Sequence, residues 1–350
     1  MKRPAPRLEL RSAPHLHAPD SVEQIMRNVI YALLPICAFG FYVFGLSAAA
    51  LILVVTASCL ITERFFAGLA GRDHTLADGS ATITGILLAL TLPPGFPLWM
   101  GAAAGCIAIG LGKTLFGGLG FNVFNPALVG RAFAQAAFPV AITTWTPPFL
   151  DQRFTHFIST TFTAPFMMPP AAGSGVDAVS GATPLALQKF ERVVTGTHDL
   201  FTGMAAGSTG ETSAILILAC GAYLALRRML DWRIPVAILA SAALVAAGFH
   251  AADPVRYPGA LFMLLSGGLM LGAVFMATDM IGSPVTPLGV WLYGALIGSL
   301  TIVIRLFGGL PEGVMYAILL GNASTPLIEA VTQPRPYGVR RKTAQEKPRP

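Results

Sequence analysis

Residues 177–184 read Asp-Ala-Val-Ser-Gly-Ala-Thr-Pro, and Thr183 carries the hydroxyl in this string best placed for chemistry. A threonine hydroxyl becomes an acceptor for an ester-forming transferase when little side-chain bulk surrounds it. Gly181 and Ala182 supply that openness, and Gly181 also permits a sharp turn. Asp177 and Ser180 complete the string, although an ordinary turn uses the same residue types. Polar groups recur inside otherwise apolar segments. Asn122 and Asn125 stand in Gly-Phe-Asn-Val-Phe-Asn-Pro, next to a helix-breaking proline. Their amides and the freed carbonyls can coordinate a cation, hydrogen-bond a planar cofactor or cap a helix. Arg131 follows within the same segment, where facing lipid is costly, so it faces a cavity, meets an anion or snorkels to an interface. Asp279 closes another apolar segment and reads as an ion-path carboxylate, a cofactor contact or a loop residue. Asp78-Gly79-Ser80 opens a further segment and suits a helix cap.

The elements that position these groups belong in a membrane. Hydrophobic residues make up 54% of the chain and charged residues 11%, with a mean hydropathy of +0.66. So little charge cannot cover a water-facing surface, and lipid must be the main solvent. The 37 glycines and 27 prolines suit membrane helices that pack closely or break. Cys37, Cys59, Cys106 and Cys220 lack paired spacing, which argues against an iron–sulfur or zinc site bound by this chain alone. Residues 1–27 are basic and have no apolar core of signal-peptide length.

Ten apolar segments follow, at 28–45, 46–62, 80–92, 97–114, 121–138, 213–229, 234–250, 259–279, 288–305 and 313–331. The third is too short to cross about 30 Å of hydrocarbon as a straight helix and ends at Pro93-Pro94-Gly95, as a half-helix would. The expected organisation is a segment 1–27, a five-span unit 28–138, a polar-rich loop 139–212, a second five-span unit 213–331 and a basic tail 332–350. An N-terminus in the cytoplasm puts 17 of the 23 Lys and Arg residues inside, so both termini are expected inside and 139–212 outside. That membrane charge bias accounts for the net charge of +6 without nucleic acid. Leu115-Phe116-Gly117-Gly118-Leu119 recurs at 306–310, and Pro93 maps to Pro284 at the same offset. Two copies of an odd number of spans must be inverted relative to one another. The fold class expected is therefore all-α integral membrane, ten helices in two inverted five-helix repeats with broken half-helices, as in transporter cores.

These strings together resemble one family. Ser12-Ala13-Pro14-His15, Asp78-Gly79-Ser80, Leu92-Pro93-Pro94, Gly112-Lys113, Phe116-Gly117-Gly118-Leu119-Gly120 and Asn125-Pro126-Ala127-Leu128 are similar to its landmarks. So are Ser180-Gly181-Ala182-Thr183, Phe275-Met276-Ala277-Thr278-Asp279 and Pro334-Arg335-Pro336-Tyr337-Gly338. The family is the D subunit of the bacterial Rnf complex, an ion-translocating ferredoxin:NAD oxidoreductase. The B subunit of the sodium-pumping NADH:quinone reductase, a paralogue with the same acceptor motif, is the alternative within the family. The resemblance implies FMN joined to Thr183 by a phosphoester, attached by a flavin transferase that reads Asp177 and Ser180–Ala182, and a noncovalent riboflavin nearby. Asn122, Asn125, Arg131 and Asp279 are then candidates for flavin contact or the ion path. It also implies a multi-pass protein of the bacterial inner membrane, with FMN on the periplasmic side and other Rnf subunits as partners. Activity would belong to the complex, with sodium or protons as coupling ion. The competing class is a channel or secondary transporter without redox chemistry, which leaves the 177–183 string unexplained.

Overall fold

The computed structural model describes residues 21–71, 75–167, 181–211 and 213–334. Asp177, Ser180, most of the N-terminal segment and most of the basic tail lie outside them. The described residues are helical, joined by turns and loops, with one isolated bridge between Trp145 and Gly181. Each of the ten apolar segments forms a helix or a broken helix.

In the first half these are α1 (Val22–Phe44), α2 (Leu46–Leu69), α3 (Ser80–Thr91), α4 (Leu98–Ile109) and α5 (Pro126–Ala137). The loop region carries α6 (Pro139–Thr143), α7 (Pro184–Ala186) and α8 (Thr197–Thr202). The second half has α9 (Ala214–Leu226), α10 (Arg233–Ala252), α11 (Ala260–Leu265), α12 (Leu269–Leu271), α13 (Pro287–Phe307) and α14 (Val314–Thr332). Five of these, α1, α2, α10, α13 and α14, are long and apolar enough to cross a membrane. The others are shorter because the chain breaks them. Pro126 starts α5 only after Asn125, α4 runs into a π-turn at Gly110–Thr114, and Ser266-Gly267-Gly268 splits the eighth apolar segment into α11 and α12. Gly267, at φ +64°, takes the left-handed conformation that this break requires. At 12 residues, α3 spans only about 18 Å.

The packing follows small residues. Gly101 and Gly105 of α4 lie against Leu51, Val55 and Ser58 of α2, while Gly294 and Gly298 of α13 lie against Ile234, Ala237, Ile238 and Ser241 of α10. Each pair is four residues apart, the spacing that lets helix backbones approach closely in lipid. In chain order the two halves pack alike: α2 on α4 and α4 on α5, then α10 on α13 and α13 on α14. The halves meet through α1 on α9 and α5 on α14.

Helix ends inside such a bundle need partners for their last carbonyls, because lipid offers none. At the end of α3, Leu90 O accepts from Gly210 N at 2.8 Å and Leu92 O from Thr209 N at 3.2 Å. At the end of α11, the Arg305 guanidinium donates to Met263 O at 2.5 Å and Ser266 O at 3.0 Å. Lys189 Nζ closes the end of α13, donating to Arg305 O at 2.9 Å, Gly308 O at 2.5 Å and Leu310 O at 3.1 Å. The loop therefore belongs to the fold. Its 149–161 stretch binds the α1–α2 turn through Leu46 N–Arg153 O (2.9 Å) and the start of α4 through Leu98 N–Thr161 O (3.1 Å).

Candidate functional site

The candidate residues fall into two groups, one at the start of α3 and one at its end. At the start, α1, α3, the Asn122–Pro126 segment, α9 and the π-turn Gly272–Met276 enclose a cavity of about 100 Å³. Asn122, Asn125, Asp279 and Lys113 all line it. Asn125 is the N-cap of α5: its side-chain oxygen accepts from Ala127 N at 3.0 Å, and its amide donates to Met276 O at 3.1 Å. The helix-cap reading is thus correct, and the same side chain ties the two halves together. Asn122 is buried and donates to Phe124 O at 3.1 Å. Asp279, half-buried, accepts from Ile281 N at 3.3 Å.

Lys113 sits in the other π-turn and is buried. Its ammonium donates to Glu63 Oε1 and Ser80 Oγ, both at 2.5 Å, with Asp78 Oδ2 at 3.9 Å. Asp78 also accepts from Ser80 N at 2.8 Å, so the Asp78-Gly79-Ser80 string caps α3 as expected and holds a buried cation as well. The group can hydrogen-bond a polar planar ring or pass a small cation, with two amides, a carboxylate and an ammonium on an otherwise mostly apolar wall.

At the other end of α3, Thr183 is the N-cap of α7, its oxygen accepting from Ala186 N at 3.2 Å. It is 4% exposed. Gly181 N donates to Trp145 O at 2.8 Å, which ties the end of the acceptor string to the rest of the loop. Thr183 lines a small cavity of about 20 Å³ with Leu185, Gly207, Gly267, Glu211 and Glu312. Arg131 reaches the same two carboxylates, Glu211 Oε1 at 3.2 Å and Glu312 Oε2 in close contact. The anion foreseen for Arg131 is therefore this pair of glutamates, and Arg131 stands with the Thr183 group rather than with the asparagines.

Glu63, Glu211 and Glu312 were not singled out by the sequence reading. Each stands within two residues of an apolar segment's edge, where a charge reads as an interface residue. Their partners lie 50, 80 and 181 residues away in the chain. Among the described residues, no group of three His, Cys, Asp or Glu side chains could hold a metal ion.

The fold and these groups define a helical membrane protein with broken helices and polar sites at both ends of a buried half-helix. Residues 9–338 match the model of the NQR2, RnfD, RnfE family. Similar proteins include the D subunit of the Na(+)-translocating ferredoxin:NAD(+) oxidoreductase complex of Acetobacterium woodii, 42% identical, with 95% of this chain and 96% of that protein covered. Another is the D subunit of the proton-translocating ferredoxin:NAD(+) oxidoreductase complex of Clostridium ljungdahlii, 38% identical over 95% of this chain and 96% of that protein. The D subunit of the ion-translocating oxidoreductase complex of Stutzerimonas stutzeri is 41% identical over 91% of this chain and 93% of that protein. The chain belongs to the NQR2, RnfD, RnfE family.

Proposed function

We propose that this chain is the D-type membrane subunit of an Rnf complex, in which electron transfer between ferredoxin and NAD drives an ion across the membrane, and that it carries FMN esterified to Thr183. The observation that supports the flavin assignment best is the string Ser180-Gly181-Ala182-Thr183 in a chain of this family, with Thr183 its hydroxyl acceptor. Thr183 stands at the head of a short helix, after Gly181 and Ala182. At 4% exposed and beside a cavity of only about 20 Å³, its hydroxyl would have to be uncovered for a flavin to be attached, and the flavin would lie outside that cavity. A flavin bound there would supply one- or two-electron exchange. The chain's own residues hold the attachment point: Trp145 fixes Gly181, Pro184 starts α7, and the loop docks on both halves. Asp177 and Ser180 would serve transferase recognition. A covalent link keeps the cofactor from being lost by dilution on an outward face.

The cavity shared by Asn122, Asn125 and Asp279, about 100 Å³, is smaller than a riboflavin, so these residues stand as candidates for an ion path or for contact with one edge of a flavin. Asp279 and the Asn122 amide are the polar groups least committed within it, since Lys113 is held by Glu63 and Ser80 and Asn125 by Ala127 N and Met276 O. The ten segments are read as ten spans in two inverted repeats, supported by the parallel packing order and by the paired glycines. The termini are then cytoplasmic, the Asn122–Asp279 cavity lies toward the cytoplasm and Thr183 faces the periplasm. The remaining redox centres belong to other membrane and peripheral Rnf subunits, and full activity requires them. Relatives named for protons and for sodium are about equally similar to this chain, so their names leave the coupling ion open.

Flavin fluorescence on a denaturing gel tests the proposal, using chain made alongside its flavin transferase. Thr183→Ala should remove the fluorescent band and Thr183→Ser should keep part of it. Covalent flavin persisting in Thr183→Ala would overturn the residue assignment. A wild-type chain without any would favour the non-redox transporter.

A further inference from the structure

The short turn between α9 and α10 gathers three arginines at one membrane face. Arg227 and Arg228 are exposed and Arg233 is half-buried. Among the described residues, none of the three guanidinium groups has an ion pair or a hydrogen bond, and Arg227 lies over the Tyr223 ring at 5.5 Å. Arg228 follows the C-cap of α9 at φ +58°. Met229 N donates to Leu224 O at 3.0 Å and Arg228 N to Ala225 O at 2.9 Å. Glycine is the usual residue at this place in that pattern, because it has no Cβ to strain. An arginine is kept there at a cost in stability. Arg228 and Arg233 line a cavity of about 400 Å³, against the roughly 10–15 Å³ that one water needs. Asp231 is the one acid on its wall, and Asp231 Oδ1 caps α10 by accepting from Arg233 N at 3.0 Å. Thr278 and Ser283 also line it, their hydroxyls committed to Val274 O and Asp279 O. The cavity is therefore cationic, with two arginines against one carboxylate. Trp232, on the same wall, meets Trp291 of α13 edge-on at 6.5 Å between ring centroids, and both rings are exposed. Tryptophan, apolar with a single N–H donor, settles at the level of lipid headgroups. Leu226 of α9 and Val236 and Leu244 of α10 add exposed apolar surface on the flanking helices.

We propose that this cavity binds the phosphate of an anionic glycerophospholipid, held by Arg228 and Arg233, with Arg227 adding charge beside them. The guanidinium fork matches two phosphate oxygens, and the volume admits the glycerol as well. The cationic excess favours a lipid of net negative charge over a zwitterionic one, whose amine would meet the same arginines. Leu226, Val236 and Leu244 give the acyl chains a surface that a free phosphate would leave unused. On the ten-span reading the turn faces the cytoplasm, where an anionic leaflet attracts basic segments. The binding is noncovalent and needs neither a flavin nor the coupling ion.

Native mass spectrometry of the full chain in detergent, titrated with phosphatidylglycerol, tests the site. Phosphatidylcholine with the same acyl chains and inorganic phosphate are the other probes. The wild type should bind one phosphatidylglycerol more tightly than any phosphatidylcholine, and equimolar inorganic phosphate should not displace it. Arg228→Gln and Arg233→Gln should each weaken that binding about fivefold, as expected for one cation lost near an anionic headgroup. If one variant does not fold, the other gives the same reading. Arg256→Gln removes a charge beyond the far end of α10 and should leave the binding unchanged. Equal binding of the two lipids, the same weakening in Arg256→Gln, or displacement by equimolar phosphate would overturn the proposal. Unchanged lipid binding in both arginine variants would overturn it as well; if the assembled complex then loses a peripheral subunit, the patch faces protein instead.

Discussion

Replacing Lys113 by Met gives the sharpest test of how this bundle holds charge. Lys113 and Glu63 are each 5% exposed with Nζ and Oε1 2.5 Å apart, and Asp78 Oδ2 is 3.9 Å from the same ammonium. At 2.5 Å and an effective dielectric of about 20, the Lys113–Glu63 attraction is roughly 6–7 kcal/mol. Burying the two ions costs several kcal/mol each, so the intact pair comes out near balance. Lys113→Met removes the attraction but leaves the Glu63 charge buried, and the loss should be about 3–5 kcal/mol. Lys113→Met combined with Glu63→Gln removes both charges, and most of that loss should return. The assay is denaturant unfolding of the purified chain in detergent, following tryptophan emission, for the wild type, both single variants and the double variant. Equal losses in Lys113→Met and in the double variant would refute the reasoning. They would show that the side-chain packing of Lys113, rather than its charge, is what matters.

Three further outcomes are expected. Gly298→Ala puts a Cβ into the Ile238 carbonyl and the Ser241 hydroxyl, so it should cost about 1–3 kcal/mol, whereas Gly248→Ala, with nothing within 4 Å, should cost nothing; the same unfolding assay compares them. Asn125→Ala loses both the acceptor that caps α5 and the donor to Met276 O, so it should cost about 1–2 kcal/mol in that assay. Reporter fusions at residues 165 and 345 should fall on opposite sides of the membrane, and finding them on one side would refute the ten-span topology.

The sequence carried the helices better than it carried their ends. Apolar runs predict where helices lie because lipid demands continuous apolar surface, and all ten segments hold helical residues. Proline and glycine marked the breaks: Pro93-Pro94-Gly95 follows α3, Pro126 begins α5, and Gly267 separates α11 from α12. Thr183, Asn122, Asn125, Arg131 and Asp279 were legible as polar residues out of place. Their grouping was not, because Arg131 joins Thr183 only through glutamates contributed by distant segments. A single sequence read along its length cannot pair residues 131 and 312.

One buried charge, that of Arg305, answers the end of a broken helix directly. A helix that stops inside the bilayer leaves carbonyls that neither lipid nor the next residue can satisfy. The two halves solve this differently. The end of α3 borrows backbone and hydroxyl donors from Thr209 and Gly210, whereas the end of α11 borrows the guanidinium of Arg305. Each half thus contains an interrupted helix, and the donors that satisfy its end differ. The loop that repairs the first break also delivers Glu211, two residues past Thr209, to Arg131. It also presents Thr183 beside that junction. The segment that completes the fold is thus the one that places the acceptor hydroxyl, so moving the loop would unmake the α3 end and the charged junction together.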